Sequence, residues 1–335
     1  MFIEDKTIIR PIRGAAIGAA LLFVTACGGA LTPPTAPGAA PGAAAPGAAA
    51  THRATPARTF TYTTLDDQSD PTFNQLLGIN KHNVISGYFG IGAPGHPNKG
   101  YIINPPYGQN NYVNENFPGS VQTQVTAINN KGDLAGFWVS GNNTNRGWVM
   151  WNGVFTSYKD HMTPKTPGSV NQLLGLNDAG IAVGFYNDAT GNSHAFTLEQ
   201  RTGRFTAVNV PGATSAVASG INAAGDVVGF AISPSGTAGF LKQGNHLSTL
   251  QFPGGSSTQP FGVNDKDAVV GSYLDGSGVL HGFLVTTPLT HARWSSIDDP
   301  NGVGTTVVNG LNDALDLVGF YTDPAGNTDG MLVAP

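Results

Sequence analysis

The chain is predicted to be all-β, a six-bladed β-propeller made of six four-stranded repeats of about 45 residues spanning 59–335. Three observations predict it. A short anchor, consisting of a small residue, an aliphatic and an asparagine, returns six times: Gly78-Ile79-Asn80, Ala127-Ile128-Asn129, Gly175-Leu176-Asn177, Gly220-Ile221-Asn222, Gly262-Val263-Asn264 and Gly310-Leu311-Asn312. Seven residues after each asparagine stands a glycine, at 87, 136, 184, 229, 271 and 319, while the anchors themselves are spaced by 42 to 49 residues. A fixed offset inside a variable period marks a rigid local unit joined by loops that tolerate insertion. An aromatic follows the glycine directly in five copies and one place later, as Tyr273, in the sixth.

The rigid unit reads as a β-hairpin. Asparagine bonds its own backbone and starts turns well. Three residues further on sit Asn83, Gly132, Gly180, Gly225, Asp267 and Leu315. Five of these types accept a positive φ at small cost, as a tight hairpin loop requires. Leu315 is the exception, so the sixth turn is expected to differ. Short aliphatic flanks such as Val227-Val228 suit strands.

Each repeat carries two further pieces. A small-plus-apolar pair follows a polar loop, as in Gly147-Trp148, Ala195-Phe196 and Gly282-Phe283. Upstream of the anchor lies an alternating stretch that ends in a turn, as in Phe205 to Gly212 or Trp294 to Pro300. Four short strands per repeat match the blades of radial β arrays. An open solenoid or packed sandwich array is the alternative, but neither terminal repeat looks like the polar cap that an open array needs. Phe60 to Leu65 supplies an outer-type strand at the start and Gly330 to Val333 a strand at the end, so each blade is expected to be contiguous chain unless a strand is exchanged to lock the ring.

Residues 1–26 read as an export signal. Lys6, Arg10 and Arg13 precede an apolar run from Gly14 to Thr25, too short for a membrane-spanning helix. The run ends Val24-Thr25-Ala26-Cys27, which resembles the bacterial lipobox, and Cys27 is the single cysteine of the chain. The resemblance implies that Cys27 becomes the acylated first residue, and Gly28 after it implies the outer membrane or cell surface. Residues 27–58, rich in Ala, Pro and Gly, offer almost no large apolar group to offset ordering entropy and read as a disordered tether.

Charged residues make up 11% of the chain, against about a quarter in ordinary domains, and glycine is abundant at 46 of 335, both fitting a turn-dense β protein. Without the signal the chain has thirteen basic and nineteen acidic residues and no basic stripe, which argues against nucleic acid as a partner. The propeller is expected to be monomeric and held to the membrane only through its acyl groups.

The repeats resemble a family of bacterial extracellular repeats named for a His-Ala-Phe motif. Gly175 to Phe185 followed by His194-Ala195-Phe196 is the best copy, and His281-Gly282-Phe283 the next. Four repeats lack the histidine. The resemblance implies export and a β-rich repeat fold, and no established activity.

No nucleophile elbow, phosphate loop, zinc helix or paired-cysteine site is present. The anchor turns lack the alternating carboxylates of calcium loops. Two sets of side chains remain. Lys99, Arg146, His194, Ala238, His281 and Asp329 precede the small-plus-apolar pair in successive repeats and should share one ring face, either as a polar collar on the axis or as loop residues that satisfy local groups. Asp66, Asp67, Asp298 and Asp299 follow the first strands of the first and last repeats. Ring closure would bring them to one seam, where Ca²⁺ could bridge them; aspartates capping their own turns are the plainer reading.

Two functions compete. One is a surface-tethered binding or scaffold module that takes a protein or glycan on one ring face. The other is an extracytoplasmic glycan-active hydrolase or lyase with acidic residues at the ring mouth. A structural envelope lipoprotein without a specific ligand is a third, blander reading. Repeats that vary smoothly, without a dense polar insertion, favour the binding module.

Overall fold

The computed structural model describes residues 59–286 and 292–335. The signal segment, Cys27 and the tether lie outside the described residues. Among those described, 24 strands form six antiparallel sheets of four, arranged as a six-bladed propeller. The N-terminal strand β1 spans Thr61–Thr64. Blade 1 holds β2 (Asn74–Ile79), β3 (Ile85–Phe89), β4 (Lys99–Ile103) and β5 (Tyr112–Asn114). Blade 2 holds β6 (Gln122–Ile128), β7 (Leu134–Val139), β8 (Asn145–Trp151) and β9 (Val154–Tyr158). Blade 3 holds β10 (Asn171–Leu176), β11 (Ile181–Asn187), β12 (Ser193–Glu199) and β13 (Arg204–Ala207). Blade 4 holds β14 (Ser215–Ile221), β15 (Val227–Ser233), β16 (Gly236–Gln243) and β17 (His246–Leu250). Blade 5 holds β18 (Ser257–Val263), β19 (Val269–Leu274), β20 (Leu280–Thr286) and β21 (Arg293–Ile297). Blade 6 holds β22 (Thr306–Leu311), β23 (Leu317–Thr322) and β24 (Thr328–Ala334), and takes β1 as its outer strand.

Three expectations change here. The alternating stretch before each anchor is the outer strand of the preceding blade, not the first strand of its own; Phe205, for example, lies on β13 of blade 3. Blade 6 is therefore not contiguous chain: β1 pairs with β24, Thr61 opposite Ala334 and Thr64 opposite Met331, so the two ends of the chain close the ring. The sixth turn does not differ either. Leu315 takes φ 68°, beside values of 59° to 86° at the other five turn positions, and its N–H donates to Asn312 O as in the other copies. The left-handed strain costs about 1–2 kcal/mol. It is offset by the turn's hydrogen bonds and by packing of Leu315 on the cluster between blades 5 and 6.

Apolar burial falls between repeats rather than inside each one. Separate clusters fill the six interblade gaps, such as Leu173, Phe196 and Leu198 against Val149 and Ala127 between blades 2 and 3. The first strand of each blade lies against the first strands of both neighbours and lines the axis.

The small residue and the asparagine of the anchor, and the glycine seven residues on, all answer to that crowding. A Cβ on Gly220 would come 3.1 Å from Gly262 Cα in the next blade, and one on Gly310 equally near Gly78 Cα, so the small residue lets inner strands stand shoulder to shoulder. The asparagine side chain holds its own turn through Oδ1 and donates through Nδ2 to the next anchor. Asn80 bonds Asn129 O (3.1 Å), Asn177 bonds Asn222 O (3.1 Å) and Asn264 bonds Asn312 O (3.0 Å), with longer links from Asn129 and Asn222. Asn312 completes the circle on Asn83 Oδ1 at 2.9 Å. The glycine seven residues on sits where a Cβ would meet a backbone oxygen of the first strand at 1.9 to 2.3 Å in every blade.

That close approach accompanies a β-bulge in each first strand, which leaves Leu77, Thr126, Leu174, Ser219, Phe261 and Asn309 unpaired. These six side chains plug the axis around a cavity of only about 30 Å³. Around the ring apolar and polar plugs alternate. The polar ones each donate to the first strand of the following blade: Thr126 to Leu173 O, Ser219 to Pro260 O and Asn309 to Leu76 O. The residue four after the asparagine alternates in step. Val84, Ile181 and Ala268 stand in odd blades, whereas Asp133, Asp226 and Asp316 in even blades each accept from the anchor amide of their own turn.

Candidate functional site

The anchor turns occupy one face of the ring. The opposite face carries the loops from second to third strand and from each outer strand to the next blade; it is called the loop face below. Lys99, Arg146, His194, Ala238, His281 and Asp329 all lie on this face, at or near the start of third strands. They do not form a collar on the axis, because the first strands stand between them and it.

Each pairs across the sheet with the residue nine after the asparagine: Phe89 with Lys99, Trp138 with Arg146, Tyr186 with His194, Ala231 with Ala238, Tyr273 with His281 and Tyr321 with Asp329. Antiparallel pairing sets these side chains face to face. Arg146 sits 5.9 Å above the Trp138 ring. His194 stacks on Tyr186 at 5.0 Å and 22°, and His281 on Tyr273 at 5.1 Å and 22°. In three blades the chain just past the outer strand adds a third residue beside the pair, namely Asn209 in blade 3, Asp298 in blade 5 and Asp66 in blade 6.

The three best-developed triplets differ in charge. In blade 5, His281 bridges two carboxylates, Nδ1 at 2.7 Å from Asp298 Oδ1 and Nε2 at 3.6 Å from Asp275 Oδ2. In blade 6 the histidine position holds Asp329, close to Asp323 and Asp66. Burial, with those neighbouring charges, pushes Asp66 up to about 6 even though it accepts the Gly330 N–H at 2.9 Å. Burial and the charges of Asp323 and Asp299 also raise Asp329. In blade 3, His194 Nε2 lies 2.8 Å from Asp188 Oδ2, and its other ring nitrogen has no partner among the described residues. Burial works against Asp188, yet bonds from His194, Thr190 and Asn192 hold its carboxyl well below the usual range.

The four carboxylates expected at one seam are not assembled there. Asp66 and Asp67 follow β1, Asp298 and Asp299 follow β21, and blade 6 stands between the two connections. Asp67 and Asp299 cap their own turns, accepting from Ser69 and Asn301 N–H at 2.8 Å. Among the described residues, no three His, Cys, Asp or Glu side chains converge to hold a metal.

A cleft of about 350 Å³ opens beside the blade 3 triplet, against cavities of about 90 Å³ or less along the axis. Tyr186 and His194 form one wall, the Val208–Ala216 connection into blade 4 another, and the Asp160–Met162 turn the rim. The hairpin unit brings Tyr186 there, and the His-Ala-Phe copy brings His194. The sequence reading picked out His194 but missed Tyr186 and Asn209. Aligning the repeats on their asparagines shows Tyr186 as a shared aromatic position; the cleft itself has no such signal.

No protein-family model and no curated protein matches the chain. Solved structures do match in fold. A protein of Agrobacterium tumefaciens assigned as TolB aligns with a TM-score of 0.55 at 11% identity, over 82% of this chain and 98% of that one. TolB of Acinetobacter baumannii aligns with a TM-score of 0.51 at 10% identity, over 76% of this chain and 64% of that one, so the chain spans under two thirds of its length. At such identity the likeness is one of fold.

Proposed function

We propose that the chain is an exported, lipid-anchored binding or scaffold protein. Acylated Cys27 holds it at the outer membrane or cell surface, residues 28–58 give reach, and the propeller takes a protein or glycan on its loop face. The observation that carries the binding role is the blade 3–4 cleft, about 350 Å³ in volume, the size of small-molecule sites. It is lined by an aromatic–imidazole stack already held in place by Asp188.

The test is binding of the full-length chain, in detergent micelles, to arrays of purified glycans and envelope proteins. The wild type is compared with Tyr186→Ala. A ligand lost in the variant supports the reading. A ligand bound equally by both puts the binding surface elsewhere on the ring.

A further inference from the structure

The chemistry of the cleft narrows the class of ligand. Its floor is apolar: Phe205, Val210 and Ala213 are half-buried, and Val208 and Ala216 are buried. Around that floor stand polar groups whose hydrogen-bonding capacity the protein leaves unspent. Among the described residues they are the second ring nitrogen of His194, the Tyr186 hydroxyl and the Asn209 amide, with the exposed imidazole of His161 at the rim, its Nδ1 3.5 Å from Asp160 Oδ1. Burial and the nearby charges of Asp160 and Asp188 raise the Tyr186 hydroxyl, which keeps it a donor. No lysine or arginine lines the cleft.

Charge selects against ionic ligands. An anion would meet the fields of Asp160 and Asp188 with no fixed cation to receive it. A cation would compete for Asp188 with His194, the Thr190 hydroxyl and two backbone N–H groups, and Asp160 is only 5% exposed. An apolar floor ringed by hydrogen-bond donors and acceptors suits a ligand with one hydrocarbon face and a rim of hydroxyls. We infer that the blade 3–4 cleft is a site for a neutral pyranose sugar, its C–H face on the floor and its hydroxyls toward Tyr186, His194 and Asn209.

Blade 5 is a built-in comparison. It repeats the stack with Tyr273 and His281, but there Asp298 takes His281 Nδ1 and Asp275 approaches the other nitrogen. Asn209 stands at the equivalent of Asp298 in blade 3, so His194 keeps its bond to Asp188 while its second ring nitrogen can serve a ligand.

This inference rests on the cleft being the binding site, and the experiment separates the two. The full-length chain is titrated calorimetrically with glucose, galactose, mannose, N-acetylglucosamine and their β-linked disaccharides, with glucuronate and glucosamine as charged controls. Expected is saturable one-to-one binding of at least one neutral sugar. Tyr186→Phe and Asn209→Ala should each weaken it about tenfold, the loss of one hydrogen bond, and Tyr273→Phe should leave it unchanged. A preference for either charged control, or no neutral sugar bound at millimolar concentration, overturns the sugar assignment while leaving the cleft open to a protein ligand. A sugar bound equally by wild type, Tyr186→Phe and Asn209→Ala overturns the cleft itself.

Discussion

The ring of anchor asparagines predicts an unusual response to a near-isosteric change, Asn177→Asp. Asn177 is 6% exposed. Its Oδ1 accepts from Ala179 N–H at 3.1 Å and Ile181 N–H at 3.0 Å, and its Nδ2 donates to Asn222 O at 3.1 Å. Aspartate keeps both acceptor bonds, so the turn survives, but it sets a carboxylate oxygen against the Asn222 carbonyl. The loss is one interblade hydrogen bond, about 1 kcal/mol, plus a buried carbonyl left without its donor, about 1–3 kcal/mol. A total of about 2–4 kcal/mol is expected in urea unfolding near neutral pH. The new carboxyl is buried and faces an oxygen, so its folded pKa lies above its unfolded value. The folded state then binds the proton more tightly, and the penalty shrinks as pH falls toward about 5, where a protonated carboxyl donates to Asn222 O again. A variant within about 0.5 kcal/mol of wild type near neutral pH, or a gap that does not narrow on acidification, would refute the interblade role of the amide.

Gly229→Ala places a Cβ 2.0 Å from Val217 O and 2.7 Å from the Phe240 ring, and should cost about 3 kcal/mol by chemical denaturation. Gly225→Ala meets nothing within 4 Å and should cost only the left-handed strain, about 1 kcal/mol; equal costs would remove steric crowding as the reason for the glycine at 229. Asp66→Asn keeps an acceptor for Gly330 N–H and removes a carboxyl raised to about 6. Ionising that carboxyl weakens the fold as pH climbs from about 4 to 6, so the variant should melt higher than wild type at neutral pH and the difference should vanish below about pH 4; identical neutral melts would count against the burial of Asp66. Cys27→Ser should release the protein from the membrane fraction on immunoblots, and retention would exclude acylation at that residue.

The blades were legible because their demands are local and repeated. A glycine jammed against a carbonyl and an asparagine spanning two turns leave the same residue in every copy. Strand phase was not legible, because Phe205 to Gly212 reads equally well as the end of one blade or the start of the next. Pairing across β12 and β13 decides it. The same ambiguity left a collar on the axis open for His194, which sits on a third strand behind the inner ones. The cleft was illegible for another reason. It depends on how far the connection after Ala207 stands from Tyr186 and His194, and no residue type encodes that distance. Leu315 shows the converse error, a local preference overruled by burial and turn bonding.

The alternating axial plugs have a consequence for ancestry. Leucine, leucine and phenylalanine in odd blades, with threonine, serine and asparagine in even ones, make two consecutive blades the true period of the ring. A copying event that added or removed a single repeat would set two hydrogen-bond donors, or two bulky hydrocarbons, side by side at the axis. Copying in pairs preserves every neighbour relation. The propeller is thus a threefold object in its axial plugs and a sixfold one in its anchor asparagines and crowded glycines, and its packing repeats by the blade pair.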